Sequence, residues 1–340
     1  MRFAPCTCIS KWQMSKLTRD DELWEACKRL WRSTIREKIY ITGGIGSTCH
    51  GEAFWLPFDL PNDLAYAETC ACIGLIFWAR RMLEIEADSK YADVMEIALY
   101  NTVLSGMALD GKSFFYVNLL VVLPEACHKD EAKRHVKPVR QKWYGCACCP
   151  PHLTFPWNGK VTVTVRKVEE ISMRLAMRIP CWCNNWDESK GVKGKLCSIE
   201  QGYFYLEGNW EQGDRIELDF PMFPRIMQAD EGVHENIGKA AIMKGAIVYC
   251  MEEKDNGNNL QWNSFKPEEI IEQGNLEVQD KMFPTLLVKG KRRKQQLPIQ
   301  SLYKEYHCTE YVDMQFTLIP YITWENRMKN EMAVWIDVLE

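Results

Sequence analysis

The sequence predicts an α+β protein in two parts, residues 1–155 helical and residues 156–340 antiparallel β. Two patterns carry that expectation. Up to about residue 155 the apolar residues recur at helical spacing, and beyond it short runs alternate apolar and polar residues between turn signals. A third observation bounds it. At about 150 residues per domain, 340 residues suggest roughly two domains, each able to bury a core without disulfide staples.

Asp20-Asp21 can cap a first helix to about Lys38, with Leu23, Trp24, Cys27, Leu30, Trp31 and Ile35 on one stripe. A Gly-rich link, Ile41 to Phe58, follows. Asn62 or Asp63 can cap a second helix, with Cys70, Ile73, Gly74, Phe77 and Met82 inward. A third runs from about Tyr91 to Ala108 through Val94, Ile97, Ala98, Asn101 and Leu104, and Phe114–Val122 reads as extended. Strands are expected over Lys160–Lys167, Ile171–Ile179, Gly202–Glu207, Asp214–Phe220, Ala240–Met251 and Met314–Ile319, a spacing that suggests a sandwich. The stretch 256–296 is poorly patterned, and its basic run KGKRRK (289–294) reads as a solvated turn.

Composition excludes several classes. Apolar residues at 46% and charged residues at 26% are ordinary globular values. A net charge of −4 offers no basic field for nucleic acid. No apolar run reaches the roughly 18 residues of a membrane span, and the first residues do not read as a signal peptide, so a cytoplasmic location is expected. Fifteen cysteines is a high and odd number, which without an export signal argues against a disulfide framework.

Three of those cysteines crowd into Cys146-Ala147-Cys148-Cys149, ahead of Pro150-Pro151. The prolines block helix continuation, and two thiolates from one turn could form half of a tetrahedral zinc shell. Buried thiols are an equal reading of the cluster alone. Glu68 and Cys70 are a second candidate half-shell. They diverge on a regular helix and converge only at its entering end, and otherwise they are a surface glutamate and a core cysteine. Glu52 has aromatic neighbours in Phe54 and Trp55, a setting that can raise a carboxyl pKa for general-acid work; the plainer reading is an exposed loop glutamate. Tyr116 is a candidate polar tip on an aromatic strand, or simply packing. TGGIGS (42–47) lacks the third glycine of a dinucleotide loop and the Gly-Lys-Ser/Thr of a phosphate loop, so it reads as a loop wall.

Five strings carry a family resemblance: TGGIGS (42–47), GEAF (51–54), DLPNDLAYAETCA (59–71), the run from Tyr91 to Asn118 (YADVMEIALYNTVLSGMALDGKSFFYVN), and GCACCPPH (145–152). In order and spacing they resemble glycoside hydrolase family 127, the β-L-arabinofuranosidase family. RIPCWC (178–183), GDRIELDFPM (213–222), GAIVYCMEE (245–253) and IPYITWENR (319–327) resemble its β-sandwich region. The resemblance implies a retaining glycosidase removing terminal β-L-arabinofuranose from an oligosaccharide or glycopeptide. It implies Cys148 as nucleophile and Glu52 as acid/base. Zn2+ would be held by Glu68, Cys70, Cys148 and Cys149, with Tyr116 close to the sugar. It also implies an (α/α)6 barrel, for which roughly 200 residues are needed. Residues 1–155 offer only about four helical segments, and CCPPH passes straight to TFPWNGKVTVTV (154–165), so the chain reads as a truncated, internally deleted relative with a partial barrel. Exposed helix faces would then favour self-association. Two other readings compete with the enzyme: a catalytically inactive zinc-binding fragment with a carbohydrate-binding or interaction role, and a thiol redox protein.

Overall fold

The computed structural model describes residues 21–127, 135–142, 157, 159–168, 172–186, 196–267, 271–294, 305 and 308–339. Cys146, Cys148 and Cys149 lie outside the described residues.

Helix α1 (Asp21–Glu37) has Asp21 and Glu22 in its first turn and Arg36 in its last, charges that complement its dipole. It buries Trp31 edge-on against Trp78 and Tyr91, with ring centroids 5.2 and 5.0 Å away. Helix α2 (Thr69–Leu83) starts later than the expected cap at Asn62 or Asp63. The reason is competition for the backbone. Residues 62–68 run alongside 117–121: Asn118 donates its backbone N–H and its side-chain amide to the Ala67 carbonyl, both at 3.0 Å. Leu120 N–H donates to the Asn62 carbonyl at 3.1 Å, and Glu68 bridges Val117. The later start rotates the buried stripe to Ala71, Cys72, Leu75, Trp78, Ala79 and Met82, so Phe77 points outward and is 57% exposed.

Helix α3 (Ser89–Ala98) is capped by Asp88, which accepts from Lys90 N–H, and continues as one π-helical turn, Leu99–Val103. The bulge frees Asn101 to stitch helix to sheet. Its amide donates to the Ala246 carbonyl at 2.8 Å, and its Oδ1 accepts from Val248 N–H at 2.8 Å.

The strands are β1 (Val121–Val122), β2 (Lys160–Thr164), β3 (Ser172–Arg178), β4 (Leu196–Glu200), β5 (Tyr203–Asn209), β6 (Arg215–Asp219), β7 (Pro224–Met227), β8 (Lys239–Lys244), β9 (Ile247–Glu252), β10 (Asn263–Phe265), β11 (Ile271–Val278), β12 (Lys281–Arg293), β13 (Tyr311–Pro320), β14 (Met332–Ala333) and β15 (Ile336–Val338). Among the described residues ten of them form one sheet in the order β1-β14-β9-β13-β12-β10-β15-β8-β7, with β11 on β12 and a further pairing of β8 with β9. The expected single strand Ala240–Met251 is thus a hairpin, turning at Gly245 with φ +59°. Strands β2 and β6 form a separate pair, and β3, β5 and β4 a three-stranded sheet.

The unpatterned stretch 256–296 holds three strands, and KGKRRK begins inside β12 rather than in a turn. Lys289 pairs with Gln315 and Lys291 with Asp313 on β13. Gly290 is needed there, because a Cβ would lie 2.3 Å from the Ser264 carbonyl oxygen. Arg292 is held by Asn263 Oδ1 at 2.8 Å, so one of the basic residues is a structural donor.

The helical part and the ten-stranded sheet share one core. Trp324 stacks on Phe115 at 4.7 Å, and the buried Arg140 guanidinium lies over the Phe115 ring at 4.5 Å. Arg178 on β3 pairs with Asp93 and Glu96 on α3, joining the small sheet to the helices. No helix among the described residues is long and apolar enough to cross a membrane. The chain is therefore a mixed α+β molecule with few helices and mostly sheet.

Candidate active site

The loop that carries Glu52 is seated on the helices. Thr102 donates its backbone N–H and its hydroxyl to the Thr42 carbonyl, at 3.3 and 2.7 Å. Gly43 (φ +75°) passes so close to α3 that a Cβ would lie 2.4 Å from Ala98 Cα, which is why glycine stands there. Tyr66 N–H then donates to the Gly46 carbonyl at 3.1 Å, tying the loop to the extended segment before α2. TGGIGS is thus a wall packed on helix and strand.

Beyond it the chain makes a tight turn. Thr48 and Ala53 exchange backbone hydrogen bonds at 3.3 and 3.2 Å, while Gly51 (φ +73°) and Glu52 (φ +49°) both adopt left-handed backbone. Glu52 stands exposed at the tip. Its side chain does not wander freely, because Tyr66 and Tyr116 hydroxyls both reach Oε1, at 3.1 and 3.4 Å.

Glu68 is the N-cap of α2 and is 8% exposed. Burial raises its pKa, hydrogen bonds from Tyr116 and Cys70 pull it back, and the nearby Glu52 charge pushes it up again. The Tyr116 hydroxyl therefore bridges the two carboxylates. Burial and the Glu68 carboxylate hold its own pKa far above the usual phenol range. The backbone here is fixed, with Thr69 N–H donating to the Tyr116 carbonyl at 3.0 Å.

Cys70 is half-buried in the first turn of α2, beside Glu68. This is the entering end at which the two side chains can converge. Cys72, two residues on, goes the other way. It is fully buried, and burial pushes its thiol up to about 12. Of the two cysteines in Thr69-Cys70-Ala71-Cys72, Cys70 faces the carboxylates and Cys72 fills the core.

Glu52, Tyr116, Glu68 and Cys70 are thus brought together, and Cys148 and Cys149 lie outside the described residues. A glutamate oxygen beside a cysteine sulfur is a donor pair suited to zinc. Among the described residues no group of three or more His, Cys, Asp or Glu side chains is placed to hold a metal. Tyr66 is the site residue that sequence reasoning missed. Its signal was present: it stands two residues before Glu68, and on extended backbone residues two apart face the same side.

Comparison with known proteins defines first a class, the glycoside hydrolases. Three consecutive family models match the chain: the β-L-arabinofuranosidase GH127 catalytic domain over residues 7–157, the GH127 middle domain over 150–222, and the glycoside hydrolase family 127 C-terminal domain over 224–337. The chain belongs to glycoside hydrolase family 127. A non-reducing end β-L-arabinofuranosidase of Bifidobacterium longum is 30% identical over an alignment 387 positions long, covering 97% of this chain and 57% of the relative. A GH127 β-L-arabinofuranosidase from Geobacillus stearothermophilus T6 has a similar structure, with TM-score 0.88 and 37% identity over 98% of this chain and 59% of that one. Another GH127 β-arabinofuranosidase superposes with TM-score 0.81 at 26% identity, over 99% of this chain and 59% of that one. The chain thus spans a little under three fifths of the length of these relatives.

Proposed function

We propose that this chain hydrolyses terminal β-L-arabinofuranosides with retention of configuration, on an oligosaccharide or glycopeptide substrate. The observation that carries the reading is the shared cradle, in which one tyrosine hydroxyl bridges exposed Glu52 and buried Glu68, with Cys70 beside the latter. The two carboxylates stand in different surroundings, one at a solvent-facing turn and one in the wall. That separates a proton-transfer role from a ligand role.

In this reading Glu52 is the general acid/base. It gives a proton to the departing glycosidic oxygen as the C1–O bond breaks and the Cys148 sulfur bonds to C1. Glu52 then takes a proton from water as that water displaces the sulfur. Glu68, Cys70, Cys148 and Cys149 are the residues that would hold zinc, the last two by family resemblance. Bound zinc would keep the cysteine thiols deprotonated at neutral pH. Tyr116, half-buried beside Glu52, is placed in this reading to contact the sugar. The helical part is read as a portion of an (α/α)6 barrel and the β part as a sandwich, residues 1–155 and 156–340.

The test is zinc content and release of p-nitrophenol from p-nitrophenyl β-L-arabinofuranoside, measured on one monodisperse preparation of the full chain. Glu52→Gln and Cys148→Ala serve as controls. The expected result is one zinc per chain with turnover reduced about 10²–10⁴-fold in Glu52→Gln. Zinc without turnover would make the chain a zinc-binding, non-catalytic member of its family. Neither zinc nor turnover would overturn the site assignment as well.

A further inference from the structure

We infer that Tyr66 is the positioning residue for Glu52: its buried hydroxyl fixes the carboxylate through Oε1 and so makes Oε2 the oxygen that delivers the proton. This deepens the reading of Glu52 as acid/base and rests on it.

Glu52 has little of its own to hold its carboxylate in place. It sits at the tip of a left-handed turn, exposed, on a side chain with three rotatable bonds. Catalysis by proton transfer needs the donor held to within about half an ångström. The turn fixes the backbone and leaves the carboxylate to its contacts. Two phenols supply these, and they are not equivalent. Tyr116 offers its single O–H between two carboxylates and lies farther from Oε1, at 3.4 Å. Tyr66 lies nearer, at 3.1 Å.

Tyr66 is also the more rigid of the two. It is 6% exposed, lies between the fully buried Ala65 and Ala67, and donates its backbone N–H to the loop at Gly46. Its ring packs edge-on against Tyr116 at 6.2 Å and lies 5.5 Å from the His135 ring. A tyrosine has only two side-chain torsions, and these contacts fix both. A phenol keeps its proton at neutral pH, so the Tyr66 hydroxyl serves as a donor to Oε1.

The chemistry follows from the inventory of the two oxygens. An oxygen that accepts a phenol hydrogen bond is the poor place for the acid proton, so the proton resides on Oε2. Because Tyr66 and Glu68 are two residues apart on extended backbone, the same segment that carries a proposed metal ligand also sets the angle of the acid/base. A change in one moves the other.

The test compares wild type, Tyr66→Phe and Glu52→Gln on two substrates differing only in leaving group. p-Nitrophenyl β-L-arabinofuranoside departs with little protonation, whereas methyl β-L-arabinofuranoside needs the acid. The readout is kcat/KM, which reports only the steps up to cleavage. Tyr66→Phe is expected to lower it about 10–100-fold for the methyl glycoside and less than about 3-fold for the p-nitrophenyl one, with the loss in kcat rather than KM. Glu52→Gln is expected to give the same asymmetry, larger. Equal losses on both substrates, or none, in Tyr66→Phe would overturn the inference. An absence of asymmetry in Glu52→Gln would instead overturn the acid/base reading. A double-mutant cycle on urea midpoints with the same two substitutions reads the contact without turnover, and strictly additive shifts would overturn the inference in an inactive chain too.

Discussion

At the scale of single residues, two cysteines of one helical turn have opposite fates because the two residue steps between them, about 200° around the helix, turn them to opposite faces. Cys70 looks toward Glu68, and Cys72 is sealed in the core with its thiol pushed up to about 12. Cys250 is likewise fully buried and pushed upward, whereas Cys308 is exposed. The thiolate is the reactive form, so iodoacetamide at pH 8 should label Cys308 readily and leave Cys72 and Cys250 unmodified until urea unfolds the chain. Peptide mapping checks this, and labelling of Cys72 at the rate of Cys308 in the folded protein would contradict the assignment. The sequence made Glu52, Glu68, Cys70 and Tyr116 legible through the spacing of family strings. Tyr66 was overlooked because a tyrosine among alanines and leucine reads as packing, although its place two residues before Glu68 put both on one face.

At the scale of elements, the helices were legible and their ends were not. The amphipathic stripe of α1 needs only local spacing, and it matches the structure. The start of α2 depends on residues 117–121, which claim the backbone of 62–68 from fifty residues away, and no local signal contains that. Strand β12 was missed for a related reason. Its charged residues alternate with Gly290 and Arg292, which are occupied by close backbone approach and by Asn263, so the usual apolar alternation is absent. The loop 42–47 shows the same dependence in reverse, since Gly43 serves contact with α3 and Gly44 with Ala67 and Thr102. Gly43→Ala combines left-handed strain with a Cβ inside the Ala98 backbone, and it should cost about 2–4 kcal/mol of stability. Urea unfolding at constant m-value measures it. A loss below about 0.5 kcal/mol would mean that the loop is not seated as described.

At the scale of the molecule, a shared apolar core and several ion pairs hold unlike parts together. Arg178 reaches from β3 to Asp93 and Glu96 on α3, and Trp182 adds a hydrogen bond to Glu96 at 3.0 Å. Arg140 lies against the stacked Phe115 and Trp324 rings and pairs with Glu325 at 3.0 Å. It fixes residues 135–142 against the segment that carries Tyr116, beside the Phe114–Gln141 bridge. The change from period 3.6 to period 2 along the chain was legible in the sequence. The joining contacts were not, since each ion pair links residues more than eighty positions apart. The central claim is that Glu52 and a cysteine outside the described residues act on one sugar. It is tested most directly by incubating Glu52→Ala with p-nitrophenyl β-L-arabinofuranoside and mapping the chain by mass spectrometry. Without its base the second half of the reaction stalls, so the account predicts one pentosyl group on the peptide carrying Cys146–Cys149, lost when Cys148 is also changed to alanine. A pentosyl group on a carboxylate peptide, or an unmodified chain from an enzyme whose wild type turns over, would contradict it.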